Sequence, residues 1–330
     1  MKNISTYKKY IQNRLEKLDF YFLLSNEVYL KKFISEGSFK RSEFYFLLHS
    51  SLGKPIENNL INMGIAIELL HTSTLIHDDI IDKSNFRRNI KTVHKIFGED
   101  NAILIGNSIK DYALSINSNT KLSILNSISK DINYGQLLET QSREEPFLYI
   151  GDTILISSLK AGSFFNGILN IIEEEKNMTI QNETKYLASA YGVLYQAFDD
   201  IRDTLNSNLI NDKNNNLDKE NNIHSFIYAK WTDNRYNDFI LDKNISNYRE
   251  TIKFIIDFLP KNSNILNDKS LNDTSLTNQI NITLSFCKNF ISYINNNIEI
   301  DKEIREILSI YFYKIKDSLI LIDGKINDYN

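Results

Sequence analysis

The stretch Thr74-Leu75-Ile76-His77-Asp78-Asp79-Ile80-Ile81-Asp82 ends an apolar run in three carboxylates, and Leu194-Tyr195-Gln196-Ala197-Phe198-Asp199-Asp200-Ile201-Arg202-Asp203 repeats the pattern about 120 residues later. On an α-helix, residues four apart lie on nearly the same face. Asp78 with Asp82, and Asp199 with Asp203, therefore each aim two carboxylates the same way. Neighbouring carboxylates repel unless a cation or a proton sits between them. A lone acidic cluster usually marks a solvated helix face, but here both sets close long hydrophobic stretches instead of decorating a polar surface. Hard oxygen ligands in pairs suit Mg²⁺, which keeps several waters and is typically completed by phosphate oxygens. Two such walls facing each other would hold a polyphosphate between them.

Composition agrees with helices. Eleven Gly and three Pro in 330 residues are too few to punctuate many strands and tight turns. No Pro/Gly/Ser-rich linker divides the chain, so 1–330 reads as a single domain. With 42% hydrophobic residues there is ample material for a core, and a net charge of −4 offers no general attraction to nucleic acid or anionic lipid. A single cysteine, Cys287, excludes an intrachain disulfide, fits a reducing compartment and reads as a small buried hydrophobe. Phe20 to Leu24 is too short for a signal-peptide core, and no run reads as a membrane span. A cytoplasmic protein without an integral membrane segment is the expectation.

Apolar periodicity predicts helices over 5–34, 40–52, 57–82, 99–117, 120–140, 147–172, 180–205, 223–230, 244–258, 273–297 and 300–322. The stretch 206–222, rich in Asn, Asp and Lys, reads as an exposed loop directly after the second acidic cluster.

Glu68 to Gly98, ELLHTSTLIHDDIIDKSNFRRNIKTVHKIFG, resembles the first aspartate-rich region of trans-isoprenyl diphosphate synthases (the polyprenyl synthetase family), and Tyr191 to Asp203, YGVLYQAFDDIRD, resembles the second. The likeness runs from about 36 to 230 and reproduces His, Asp-Asp, Asp, Arg-Arg and Thr together. It implies an all-α bundle around a deep central cavity, working as a homodimer. The implied activity is Mg²⁺-dependent head-to-tail prenyl transfer: an allylic diphosphate ionises, isopentenyl diphosphate attacks, and a longer all-trans prenyl diphosphate results. Ionisation leaves negative charge on pyrophosphate, which metal ions and cationic side chains stabilise.

By the same resemblance, Asp78 and Asp82 would hold two Mg²⁺ ions and Asp199 a third, with Asp79, Asp200 and Asp203 completing or supporting those shells. Arg87, Lys160 and Lys213 match the family's clamp on the allylic diphosphate, and Gln196 an amide beside the metals. Lys160 stands alone amid apolar residues in ISSLKAGSFF, which by itself calls for an anion or a carbonyl nearby. Arg41, His71 and Arg88 match the pocket for isopentenyl diphosphate.

Several positions depart from the family pattern. GGKRxRP appears as Glu36-Gly37-Ser38-Phe39-Lys40-Arg41-Ser42, with Ser38 where a Lys is expected. Ala161, Asn107, Glu139 and Asn221 or Asn222 differ at the edges of the site. One turn before Asp78 lie Ser73 and Thr74, small residues where fifteen-carbon enzymes place aromatics; Leu70 and Leu69 one turn further would form a floor. Each open turn lengthens the tunnel by ~5.4 Å, so a product of twenty carbons or somewhat more is expected. Ser38 keeps open a different acceptor for the cation (a peptide or aromatic group, or the substrate's own double bonds, as in a cyclase). A non-catalytic partner subunit is the third reading, although such subunits usually lose an Asp motif.

Overall fold

The computed structural model describes residues 4–18, 27–52, 58–116, 119–145, 148–210, 225–229, 246–256, 276–296 and 302–327. These residues are helical almost throughout, as expected of an all-α protein. In order come α1 (Ile4–Glu16), α2 (Glu27–Ser35), α3 (Lys40–Ser51), α4 (Asn58–Ile81), a small hairpin of β1 (Phe86–Arg87) and β2 (Ile90–Lys91), α5 (Val93–Phe97), α6 (Glu99–Ser115) and α7 (Asn119–Ser142). Next are α8 (Ile150–Ser157), a π-helical turn Ser158–Gly162, α9 (Ser163–Lys176) and α10 (Asn182–Ile210), followed by helices Ser246–Ile256, Leu276–Asn296 and Lys302–Asn327.

The chain divides into two compact units, Met1–Lys130 with Gly167–Met178, and Asp131–Asn166 with Thr179–Asn330. In the first, α3 buries Ser42 and Phe44 to His49 in an unbroken run, so it is enclosed on nearly all sides. It packs on α4, where a Cβ on Gly64 would stand 2.6 Å from the Phe46 ring. α4 also packs along α6, and a Cβ at Gly106 would lie 2.4 Å from His77 Nε2, so only glycine admits that imidazole. A buried ionic cluster joins three elements of this unit: Tyr45 Oη donates to Glu175 at 2.9 Å, His49 Nε2 lies 2.5 Å from it, and Lys121 completes it with a short ion pair. Burial alone would raise the Glu175 pKa, but His49 and Lys121 outweigh it and hold the carboxyl below the usual glutamate range.

In the second unit, α10 crosses the π-helical turn with backbone against backbone. A Cβ on Gly192 would lie 2.6 Å from Gly162 N and 2.7 Å from the Ala161 carbonyl carbon. Tyr191, Tyr311, Phe312 and Phe165 pack edge to face around that crossing, with ring centroids 4.7 to 5.4 Å apart. Cys287 is fully buried and reduced, and burial pushes its thiol up to about 12.

Three expectations change. The run 5–34 is broken, with α1 ending at Glu16 and α2 starting at Glu27. Residues 225–229 form a turn, burying Phe226 and Ile227, where a helix was expected. α10 continues to Ile210, so the first residues of the expected 206–222 loop are helical; 211–224 lie outside the described residues. A further correction concerns membranes: the continuous helix Ile150–Lys176, 27 residues, is long and apolar enough to cross one. Its most apolar window is 83% buried within the protein, which makes it a core helix.

Candidate active site

The C-terminal end of α4 carries the first acidic set. Asp82 stands one turn beyond Asp78, and both are partly exposed, whereas Asp79 is buried at 1% exposure. The difference follows from helix geometry, since adjacent residues diverge by ~100° around the axis. Asp79 is held by Arg87: Nε donates to Oδ1 and Oδ2 at 2.9 and 3.0 Å, and Nη2 lies 2.7 Å from Oδ1. Burial raises the Asp79 pKa even so, while Arg87, despite its own burial, is held above its ordinary value by the three aspartates. Arg87 Nη2 also lies 3.9 Å from Asp78 Oδ2. Arg87 thus belongs to the carboxylate wall, and Asp79 supports the wall from beneath.

Arg87 and Arg88 reach this position through the β1–β2 hairpin, which pairs Phe86 with Lys91 and Arg87 with Ile90. The two corner residues, Arg88 and Asn89, have φ of 52° and 63°. Positive φ at both corners is the requirement of a type I′ turn, normally met by Asn-Gly. Arginine at the first corner is therefore a local backbone cost. No strand signal marked this hairpin, because two-residue strands carry no periodicity.

His71, on α4 between Glu68 and Thr74, has its pKa pushed well down, first by burial and then by Arg41, Arg88 and Arg87. The charges of Arg41, Arg88 and Arg87 thus all act on this one imidazole. Glu68, absent from the expected set, is 5% exposed and accepts the backbone N–H and hydroxyl of Ser42, both at 2.8 Å. Burial raises its pKa against the pull of Ser42, Arg41 and Arg88. A lone carboxylate in the apolar run Ile65 to Leu70 was the available signal. Ser73 is buried and bonded to the Leu70 carbonyl at 2.8 Å, and Thr74 to the His71 carbonyl at 2.7 Å. Their hydroxyls are spent on their own helix, and Leu69 and Leu70 are fully buried a turn away.

The second unit carries the other set. Asp199 is 23% exposed, with Arg202 Nη1 3.0 Å from Oδ1. Such an exposed pair contributes at most ~1 kcal/mol, so a divalent cation can displace it. Asp200 is tied down, accepting from Gln196 Nε2 and from the Phe226 N–H, each at 2.8 Å, which anchors the 225–229 turn to α10. Asp203 falls on the same helix. Lys160 sits within the π-helical turn and meets Glu139 Oε2 at 2.6 Å; Gln136 Nε2 donates to the same oxygen at 2.9 Å. The anion that Lys160 called for is Glu139. Single-turn π-helices recur at functional sites, and the extra residue here turns Lys160 out of an otherwise buried helix. Lys213 lies outside the described residues.

Among the described residues no group of three or more His, Cys, Asp or Glu forms a metal cage. Mg²⁺ is usually bound through one or two carboxylates plus substrate phosphates. Asp78 with Asp82, and Asp199, offer hard oxygen donors that are partly open to solvent, and the donor chemistry fits the ion.

The chain shares its fold with solved structures. Over 94% of this chain and 96% of the other it matches the geranylgeranyl pyrophosphate synthase of Lactobacillus brevis, with TM-score 0.65 and 15% identity. Over 93% and 94% it matches the polyprenyl synthase of Caulobacter crescentus, which is complexed with calcium and isoprenyl diphosphate, with TM-score 0.63 and 17% identity. In sequence it is 31% identical to the farnesyl diphosphate synthase of Micrococcus luteus over 176 residues, 46% of this chain and 60% of that one. It is 26% identical to the octaprenyl diphosphate synthase of Escherichia coli over 200 residues, 57% of this chain and 60% of that one. The match thus spans about three fifths of the length of these two relatives. The model of the polyprenyl synthetase family matches residues 26–258, and the chain belongs to that family.

Proposed function

We propose that the protein is a Mg²⁺-dependent prenyltransferase that condenses an allylic diphosphate with isopentenyl diphosphate, head to tail, to an all-trans product of twenty carbons or somewhat more. The observation that carries this reading is the end of α4, where two open carboxylates stand beside Arg87 and the charges of Arg41, Arg87 and Arg88 are all felt at His71. Guanidinium groups interleaved with open carboxylates at a helix end suit a diphosphate that arrives together with its metal ions: the arginines take phosphate oxygens and the carboxylates take the cations. In this reading Asp78 and Asp82 hold two metal ions and Asp199 a third. When bound, the ions neutralise charge developing on the leaving diphosphate.

The chain's own residues do the rest. Arg87, Lys160 and Lys213 bind the allylic diphosphate; Lys160 exchanges Glu139 for a phosphate oxygen. Arg41, His71 and Arg88 hold the diphosphate of the second substrate and fix its double bond for attack on the allylic carbon, which releases pyrophosphate. A proton lost next to the new bond regenerates an allylic double bond, and pyrophosphate is the nearest base. Ser73 and Thr74 leave room for the chain, and Leu70 limits it. The reading includes a homodimer in the cytoplasm, for which light scattering of the purified chain gives the mass.

Ser38 favours one second reading, an ionising enzyme that passes the cation to another acceptor. The test is incorporation of labelled isopentenyl diphosphate into extractable product after EDTA treatment and stepwise return of Mg²⁺. Incorporation that needs Mg²⁺ and is lost in Asp82→Asn and Asp199→Asn supports the proposal. Release of pyrophosphate without incorporation supports the other acceptor.

A further inference from the structure

Helix α3 begins without the usual device. Its N-cap is Phe39, 2% exposed, at φ 54°, with no side-chain cap. The first turn of a helix leaves its N–H groups without intrahelical partners, and a side-chain oxygen at the N-cap normally accepts from one of them. Here the N–H of Ser42, third residue of the helix, donates instead to Glu68 Oε1 on α4 at 2.8 Å. The Ser42 hydroxyl lies 2.8 Å from the same oxygen and 3.1 Å from the Phe39 carbonyl, so its one proton serves either. The carboxylate also complements the positive end of the helix dipole.

Arg41 directly precedes Ser42. The orientation of this helix start decides where the guanidinium goes. On the other side, Glu68 stands one turn before His71, and both feel the charges of Arg41 and Arg88.

We propose that Glu68 is a positioning residue for the second-diphosphate pocket: by capping α3 from a neighbouring helix, it fixes the direction in which Arg41 reaches His71 and Arg88. The assignment rests on reading Arg41, His71 and Arg88 as that pocket. What matters is the acceptor oxygen and not the charge, since a negative charge beside a diphosphate site weakens anion binding.

This predicts a difference between two variants. Glu68→Gln retains an amide oxygen for Ser42, so its KM for isopentenyl diphosphate stays within about threefold of the parent, whereas Glu68→Met keeps the volume, loses the acceptor and raises that KM about tenfold or more. The KM for the allylic diphosphate moves by less than about threefold in both, a split that general loosening of the fold would not produce. Ser42→Ala, which leaves Glu68 in place, shows the same selectivity with a smaller effect and reads the idea if Glu68→Met does not fold.

A second arm is independent of turnover: calorimetric binding of inorganic pyrophosphate, without metal, to the parent, Arg41→Ala, Glu68→Gln and Glu68→Met. If the parent fails to use isopentenyl diphosphate, the proposed function falls while this arm still reads Glu68. Binding weakened in Arg41→Ala and Glu68→Met but kept in Glu68→Gln supports the assignment. It is overturned if the parent does not bind pyrophosphate, if Arg41→Ala binds like the parent, if Glu68→Met binds like the parent, or if Glu68→Gln is as weak as Glu68→Met.

Discussion

Arg88 occupies a backbone conformation that its side chain makes costly. Its φ of 52° at a hairpin corner is a position where glycine has no penalty. Replacing it by glycine relieves about 1 kcal/mol of strain, enough to raise the melting temperature by roughly 1–3 °C in a chain of this size. If the proposed pocket is right, the same change removes a diphosphate ligand, so KM for isopentenyl diphosphate rises about tenfold. Calorimetric melting together with steady-state kinetics checks both; a fall in melting temperature would contradict the turn assignment. The two adjacent aspartates separate in a similar way. Asp79→Asn uncouples Arg87 from a buried partner, and because Arg87 is still 26% exposed the cost is discounted from that of a buried pair to about 2 kcal/mol. Asp82→Asn, partly exposed, leaves stability within about 0.5 kcal/mol while lowering activity at least about 100-fold. Denaturant unfolding beside turnover assays distinguishes these outcomes.

Among the elements, the contact of α10 with the π-helical turn is the least tolerant. A methyl at Gly192 meets backbone atoms at 2.6 to 2.7 Å, which cannot rotate away. Gly192→Ala is therefore expected to cost about 3 kcal/mol and to lower activity, because the crossing sets Lys160 against the helix bearing Gln196 and Asp199. Chemical denaturation reads the first effect; an unchanged midpoint would show that the helices are not packed so closely. The cluster joining α3, α7 and α9 gives a pH prediction. Glu175 has a folded pKa below its ordinary value, so its stabilisation is present above the ordinary glutamate range and is lost as pH falls through the folded pKa. Glu175→Gln should cost about 3 kcal/mol at neutral pH, with the deficit shrinking toward acid; melting across pH 3 to 7 tests it. Glu68 acts with the opposite sign, since its folded pKa is raised.

For the molecule as a whole, what could be read in advance was what repeats along a helix. The limits of α3, α4 and α6 follow the apolar period to within two residues, and the helical spacing leaves Asp78 and Asp82 both partly exposed at the end of α4. Features set by a single residue were not legible. The hairpin under Arg88 is too short for any period, and the π-helical turn adds one residue within an apolar run that reads as plain helix. Glu68 hides because its partner, Ser42, is 26 residues away, and nothing local announces a cap supplied from another helix. The lysine amid the apolar residues of the membrane-length helix is explained by Glu139, 21 residues away in sequence, a partner that the local sequence does not reveal. The central claim, head-to-tail prenyl transfer, is tested most directly by mass spectrometry of products. The purified protein is given Mg²⁺ and isopentenyl diphosphate with the five-, ten-, fifteen- and twenty-carbon allylic diphosphates in turn. The account predicts diphosphates lengthened in five-carbon steps, ending at twenty carbons or somewhat beyond. Hydrolysed or cyclised allylic products with isopentenyl diphosphate unconsumed, or no turnover at all, would contradict it.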